Sequence, residues 1–195
     1  QRILSPDSSA LLAGKDAAIR VADVGTGSGA IAVAFTSETP AARVVATDIS
    51  EAALAVARRN AEHHGVADRV DFRLCNLLDG VEGLFDLILS NPPYIALSER
   101  EALPLSVSQF EPSMSLFAGE DGLDMVRKLI ECASMRLRPE GWLIMEIGSR
   151  QSKTVAELIF RNGRFCDPPE ILPDYQGIER VVCARLLPAR TETTL

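Results

Sequence analysis

The segment LILSNPPYI, residues 87–95, places the amide side chain of Asn91 between an apolar run and two consecutive prolines. The Asn91 side-chain carbonyl and the Pro92 backbone carbonyl are hydrogen-bond acceptors, and proline restricts the backbone without adding an N–H donor. Two fixed acceptors can hold both N–H bonds of a planar NH2 group and stabilise positive charge that develops on its nitrogen. Tyr94 offers an aromatic face for such a group. The alternative is a structural Pro-Pro turn with an asparagine cap.

A second pattern, Asp-x-Gly-x-Gly-x-Gly, covers residues 23–29 and follows a short apolar run. Its glycines permit a tight turn and a close approach of the backbone to a ligand. Gly25-x-Gly27-x-x-Ala30 also satisfies the permissive dinucleotide fingerprint. Asp48 lies 23 residues beyond Gly25, at the end of the next predicted strand, where a carboxylate can bind ribose hydroxyls. This order predicts a site for a nucleoside-containing cofactor, with a glycine-rich turn that binds no ligand as the alternative.

Asp23, two residues before the first glycine, narrows the choice of cofactor. A carboxylate at this position would lie near the path of a dinucleotide's pyrophosphate and would repel it. It suits a cationic group instead, such as the amino group of a methionine moiety. The pattern therefore favours S-adenosylmethionine over NAD.

The motifs lie between alternating apolar and amphipathic segments, which predict the strands and helices that position them. Strands are predicted over residues 21–24, 43–47, 69–74, 85–89, 142–147 and 180–186. Helices are predicted over residues 8–19, 29–37, 122–136 and 150–161, and another after a cap at Ser50. Strands that alternate with helices indicate a doubly wound α/β fold with parallel pairing and right-handed crossovers. Because ligands of such sheets bind beyond the carboxyl ends of the strands, we expect the glycine turn, Asp48, Asn76 and Asn91 at one edge.

Composition and charge argue against several classes of function. The 195 residues are 47% hydrophobic, which suits one globular domain with a sizeable core. The net charge of -7 and the absence of a basic run make free nucleic acid a poor partner. No apolar run reaches the roughly 18 residues of a membrane span. The four cysteines are scattered without a C-x-x-C pair, so we expect reduced thiols and no metal site.

Together the glycine and Asn-Pro-Pro-Tyr motifs resemble those of class I S-adenosylmethionine-dependent methyltransferases that act on planar NH2 nitrogens. Four further segments are similar in order and spacing to the release-factor glutamine methyltransferases, the HemK/PrmC family: Glu111-Pro112, LFAGEDGLDMVRKLI at 116–130, IMEIGSRQ at 144–151 and PDYQGIERVV at 173–182. This resemblance, which covers nearly the whole chain, implies a mostly parallel seven-stranded sheet whose last strand is antiparallel. It also implies methyl transfer to the side-chain amide nitrogen of the glutamine in the Gly-Gly-Gln loop of peptide-chain release factors.

The resemblance implies roles for individual residues as well. Asn91, Pro92 and Tyr94 would be catalytic and would surround the glutamine amide. S-adenosylmethionine, with S-adenosylhomocysteine as its product, would be bound by Asp23, Gly25, Thr26, Gly27, Gly29, Asp48, Ile49, Asn76, Leu77 and Asn91. We expect residues 1–195 to be a catalytic domain that lacks the family's N-terminal helical domain. We also expect a cytoplasmic monomer whose partners are release factors, with no membrane or free nucleic acid involved.

The chain departs from the family pattern in two places, and other functions therefore stay open. The segment SPDSS, residues 5–9, lacks the arginine and the final glutamate of the family's Arg-Pro-Glu/Asp-Thr-Glu, and Asn76 stands where aspartate is common. Glu111 and Glu146 match the pattern, although a loop salt bridge and a strand-end carboxylate explain them equally well. The alternative functions are an N6-adenine or N4-cytosine nucleic-acid methyltransferase and a cofactor-binding protein without catalytic activity.

Overall fold

The computed structural model of the protein describes residues 18–94 and 119–189. Within these ranges the chain forms seven strands: β1 (Ile19–Val24), β2 (Ala42–Asp48), β3 (Val70–Leu74), β4 (Phe85–Ser90), β5 (Leu137–Glu146), β6 (Glu170–Pro173) and β7 (Glu179–Arg185). The helices are α1 (Ala30–Glu38), α2 (Glu51–His63), a short 3-10 helix (Ala67–Arg69), α3 (Asp124–Arg136) and α4 (Ser152–Asn162). No helix in these two ranges combines the length and the apolar character that crossing a bilayer requires.

The strands form one sheet in the order β3-β2-β1-β4-β5-β7-β6. Strands β1 to β5 pair in parallel, whereas β7 pairs antiparallel with both β5 and β6. The order changes direction between β1 and β4, because β2 and β3 extend the sheet on one side and β4 and β5 on the other. The predicted doubly wound, mostly parallel seven-stranded sheet with an antiparallel last strand is confirmed.

Helices cover both faces of the sheet, which explains why its central strands are apolar along their length. All six residues of β4 are buried. Ile88 of β4 packs in a cluster that includes Val126 and Leu129 of α3, together with α4 side chains. Leu87 and Leu89, which alternate with Ile88 along the strand, belong to the cluster on the other face, with α1 and α2 side chains.

Most element boundaries lie within two residues of the predicted ones, and two of the differences have a clear physical reason. The helix predicted over 8–19 lies mostly outside the described residues, but its last residue, Ile19, begins β1, where it is buried and pairs with Ala42. Strand β5 begins at Leu137, five residues before the predicted start. Its first part was missed because Pro139 and Gly141 interrupt the apolar pattern, although Leu137 pairs with Phe85 across a register shift.

Strand β6 was not located from the sequence. It has only four residues and includes a proline, and it lies at the edge of the sheet, where it pairs with β7 alone. Its side chains are half-buried or exposed, so no buried apolar period marks it in the sequence. Strand β6 is defined by its pairing with β7, a tertiary contact that the local sequence does not indicate.

Candidate functional site

The carboxyl ends of β3, β2, β1 and β4 lie side by side, so the loops that follow them share one edge of the sheet. Hydrogen bonds connect these ends in pairs: Thr26 N to Thr47 O at 2.9 Å, Cys75 N to Asp48 O at 3.0 Å, and Ser90 Oγ to Val24 O at 2.7 Å. The structure therefore brings the glycine turn, Asp48, Asn76 and Asn91 to the same edge, next to the point where the strand order changes direction. This is where open α/β sheets bind ligands.

The three glycines of the turn have different structural roles. All adopt left-handed backbone, with φ of +70° at Gly25, +55° at Gly27 and +81° at Gly29. A Cβ at Gly29 would lie 2.9 Å from the Cβ of Ala57, so this glycine lets the start of α1 pack closely on α2. A Cβ at Gly25 or Gly27 would meet no atom of the described residues within 4 Å. Those two glycines shape the turn and leave open space beside it, as a ligand-binding turn requires.

Asp23 is fully buried beneath this turn. Its Oδ2 accepts hydrogen bonds from Thr26 Oγ1 at 2.6 Å and from Ala32 N at 3.0 Å. Ala32 lies in the first turn of α1, and the glycine that precedes this helix has no side chain to cap it, so Asp23 satisfies one of its free N–H groups. Thr26, predicted to bind cofactor, directs its hydroxyl to Asp23.

The second oxygen of Asp23, Oδ1, is buried without a hydrogen-bond partner in the part of the chain that the structure describes. Burial raises the pKa of Asp23 from 3.8 to about 6. The bonds from Thr26 and Ala32 act in the opposite direction, and the nearby charge of Asp48 adds to the rise. A buried carboxylate oxygen without a donor is costly, and a cationic group that reached it would remove that cost.

Asp48, at the end of β2, faces the glycine turn. Its Oδ2 accepts from Gly27 N at 2.9 Å and its Oδ1 from Ser50 N at 2.9 Å, which sets the orientation of the carboxylate. Each oxygen retains a further lone pair for a hydroxyl group. The next residue, Ile49, is 54% exposed and so presents an apolar surface beside the carboxylate.

The loop after β3 contains the other predicted cofactor residues. Asn76 is exposed, and its backbone carbonyl accepts from Asp79 N in a turn. Leu77 is half-buried and has φ of +49°, a left-handed conformation that is uncommon for a bulky side chain. Backbone of this kind is concentrated at binding and catalytic sites.

Residues 91–94 leave β4 at the same edge. Asn91 is exposed, Pro92 is buried and Tyr94 is half-buried. The Tyr94 hydroxyl donates to Glu146 Oε1 at 3.2 Å, and the Tyr94 carbonyl accepts from Gln151 Nε2 at 3.0 Å. Glu146 was noted from the sequence without an assigned partner. Gln151 is the last residue of the motif IMEIGSRQ, and membership of that motif is the sequence signal that identifies it.

The sequence motifs SPDSS, residues 5–9, and Glu111-Pro112 lie outside the described ranges. Of the described residues, no group of three or more His, Cys, Asp or Glu is arranged to hold a metal ion. The four cysteines are free, and burial raises the pKa of the Cys183 thiol to about 12.

The residues present fit S-adenosylmethionine in three respects. The buried carboxylate of Asp23, with its partnerless Oδ1, favours a cationic group such as an amino group bound above the turn. The Asp48 carboxylate suits a ribose, and the open space beside Gly25 and Gly27 admits the body of a ligand.

Comparisons with known proteins agree with this arrangement. The chain is 48% identical over 166 residues to a release factor glutamine methyltransferase from Cereibacter sphaeroides, a match that covers 85% of this chain and 59% of the relative. It is 45% identical over 170 residues to the protein of the same name from Bradyrhizobium diazoefficiens, with 87% and 57% covered. The chain thus spans less than three fifths of the length of these relatives. The resemblance inferred from the sequence motifs is confirmed.

Solved structures support the fold. An RNA methyltransferase from Salinibacter ruber, crystallised with S-adenosyl-L-homocysteine, superposes with a TM-score of 0.56 at 20% identity, covering 97% of this chain and 94% of that one. A methyltransferase from Pyrococcus furiosus gives a TM-score of 0.64 at 20% identity, covering 92% and 81%.

The family model named methyltransferase small domain matches residues 7–104, which is half of the chain. This match includes the glycine turn, Asp48 and the Asn-Pro-Pro-Tyr loop, the residues that meet at the carboxyl edge of the sheet. The chain belongs to the methyltransferase small domain family.

Proposed function

We propose that residues 1–195 are the catalytic domain of a release-factor glutamine methyltransferase. It transfers a methyl group from S-adenosylmethionine to the side-chain amide nitrogen of the glutamine in the Gly-Gly-Gln loop of peptide-chain release factors. The other products are S-adenosylhomocysteine, left when the sulfur–methyl bond breaks, and one proton, which the amide nitrogen releases as it forms its bond to the methyl group. The proposal includes a monomer that acts in the cytoplasm on a protein partner, and the net charge of -7 supports a protein over free nucleic acid.

One observation carries this proposal. The Asn-Pro-Pro-Tyr loop after β4 lies directly beside the glycine turn after β1, because these two strands are neighbours in the sheet. Val24 of β1 pairs with Ser90 of β4, so the residues that follow them, Gly25 and Asn91, leave the sheet side by side. A group held by Asn91 and a cofactor bound over the glycines would therefore occupy adjoining space. The names of the relatives support glutamine as the acceptor.

The acceptor side of the reaction is assigned to residues 91–94. The amide nitrogen of glutamine is a poor nucleophile, since its lone pair is delocalised into the carbonyl group. The Asn91 side-chain carbonyl and the Pro92 backbone carbonyl accept hydrogen bonds from the two N–H groups of the glutamine amide and so orient its nitrogen. The same acceptors stabilise the positive charge that develops as the nitrogen forms its new bond. Tyr94 lies against the plane of the amide.

The cofactor side is assigned to the loops after β1, β2 and β3. S-adenosylmethionine, when bound, supplies a methyl group activated by a positively charged sulfur. Asp23 attracts its amino group, and Asp48 binds the ribose hydroxyls. Gly25 and Gly27 allow close approach of the backbone, while Ile49, Asn76 and Leu77 line the adenine side.

A transfer assay with radiolabelled S-adenosylmethionine tests the function. The acceptors are a release factor, the same factor with its Gly-Gly-Gln glutamine changed to alanine, and mixed-sequence DNA and RNA. We expect label on the unaltered release factor alone. Label on nucleic acid with none on protein would refute the proposal, as would equal labelling of the alanine-substituted factor.

The Asn91→Ala variant tests the mechanism in the same assay. Loss of one acceptor should lower kcat by about 10²–10³-fold, by analogy with loss of an oxyanion-hole donor. Cofactor affinity, measured by calorimetry, should change little, because Asn91 acts mainly on the acceptor nitrogen. Asn91→Asp is the matched control, since it keeps an acceptor oxygen and should retain more activity. A wild-type rate in Asn91→Ala would contradict the amide-holding role.

A further inference from the structure

We propose that Gln151 is the positioning residue of the candidate active site: its side-chain amide holds residues 91–94 in the orientation that presents Asn91 to the acceptor. The effect of Gln151 on catalysis rests on the proposed function, whereas its role in holding residues 91–94 does not.

The Gln151 side chain contacts three separate segments. Its Nε2 donates to Tyr94 O at 3.0 Å and to Gly122 O at 3.3 Å. Its Oε1 accepts from Gly148 N at 2.9 Å. One amide thus joins the loop after β4, the turn before α3 and the loop after β5. Both of its amide hydrogens and its carbonyl oxygen are engaged, so the side chain has one defined orientation.

Gln151 itself is well anchored. It is the residue that precedes α4, its N–H donates to Gly148 O at 3.0 Å, and its carbonyl accepts from Val155 N at 2.8 Å. Val155 and Ile159 are fully buried and fix this helix to the core. A Cβ at Gly148 would lie 3.0 Å from the Cδ and Oε1 of Gln151, so glycine provides the room for the side chain.

Two hydrogen bonds to described residues hold Tyr94. Gln151 binds its carbonyl, and Glu146, the last residue of β5, accepts from its hydroxyl at 3.2 Å. Between Tyr94 and Asn91 lie only Pro92 and Pro93, whose rings restrict the backbone. Because the two prolines limit backbone rotation, fixing Tyr94 at one end of the segment and Ser90 of β4 at the other sets the backbone of Asn91 and the direction in which its side chain leaves the chain.

Gln151→Glu is the sharpest test because it is nearly isosteric. The variant side chain can still accept from Gly148 N, but it has no N–H for Tyr94 O or Gly122 O and places a carboxylate oxygen against two carbonyl oxygens. Gln176→Glu is the matched control. It makes the same change of group and charge on an exposed turn between β6 and β7, and its backbone N–H donates to Asp174 Oδ1 at 2.8 Å irrespective of the side chain.

The first measurement is backbone ¹⁵N relaxation, which needs no substrate. In the wild type and in Gln176→Glu we expect order parameters of about 0.85 for Asn91 and Tyr94, and in Gln151→Glu values below about 0.6. Unchanged order parameters in Gln151→Glu would overturn the proposal whatever the activity. If this variant does not fold, Gln151→Met, which removes the donors without adding a charge, replaces it in every comparison.

The second measurement is steady-state methyl transfer to a release factor. Gln151→Glu should lower kcat by about 10–100-fold, the scale of a displaced reacting group, while the cofactor KM and Kd stay within about twofold. A kcat equal to that of Gln176→Glu, or a loss of cofactor affinity in proportion to kcat, would refute a positioning role. A wild-type protein inactive on release factors would refute the proposed function instead, and the relaxation data would still decide whether Gln151 holds the loop.

Discussion

Replacing Asp23 by asparagine should make the protein more stable and weaken its binding of cofactor. Asp23 is fully buried, and its pKa rises from 3.8 to about 6 because burial disfavours the charged form. At about 1.4 kcal/mol per tenfold change, that rise means that ionisation costs the folded state about 3 kcal/mol at pH 8. Asparagine carries no charge, and its carbonyl can still accept from Thr26 and Ala32.

The direction of the pKa shift determines how the stability contribution of Asp23 changes with pH. Because the folded-state pKa lies above the unfolded value, the favourable contribution of the protonated carboxyl is present below about pH 4 and is lost as the pH rises through about 6. The stability advantage of Asp23→Asn should therefore be larger at pH 8 than at pH 5, by about 1.4 kcal/mol. At pH 8 we expect an advantage of about 1–3 kcal/mol, reduced from the full value because the new NH2 group lacks a buried acceptor.

Urea unfolding at pH 5 and pH 8 measures the stability difference between Asp23→Asn and the wild type and its change with pH. Asp86→Asn is the matched control, since Asp86 is also buried but accepts from Arg20 N at 2.9 Å and from the Arg138 guanidinium at 2.6 Å. Removal of that paired charge should lower stability at pH 8. An Asp23→Asn variant whose difference from wild type did not change with pH would refute the argument, as would one less stable than wild type at pH 8. Calorimetry should show cofactor binding weakened by about 1.5–3 kcal/mol.

Two further predictions concern the neighbouring loops. Asp48→Ala should weaken binding of S-adenosylmethionine by about 1.5–3 kcal/mol, the scale of lost charged hydrogen bonds, and calorimetry that shows unchanged affinity would count against its role. Gly29→Ala should destabilise the fold by about 2–5 kcal/mol in urea unfolding, because it adds a 2.9 Å contact with Ala57 to the cost of left-handed backbone. Gly65→Ala, with φ of +67° and open space around it, should cost only about 1–2 kcal/mol, and equal losses in both variants would exclude the steric contribution.

The sequence alone determined the fold class and the edge of the sheet where the site lies. Buried parallel strands leave continuous apolar runs such as residues 87–89, and turns that need left-handed backbone leave glycines such as Gly25 and Gly27. Both signals are local, so they can be recognised without knowledge of distant contacts. The positions of Asp48 and Asn91 at strand ends followed from the same patterns.

Tertiary structure decided what depends on residues far apart in the chain. Edge strand β6 exists because it pairs with β7, and Gly29 is required because α2 passes within contact distance. The burial of Asp23 and its partnerless oxygen arise from the sheet and α1 closing around it. Gln151 reaches Tyr94, 57 residues earlier in the chain, because β4 and β5 are neighbours and α4 begins beside the end of β5. A hydrogen bond between such distant residues leaves no periodic trace in the sequence, and only the packed sheet brings its donor and acceptor together.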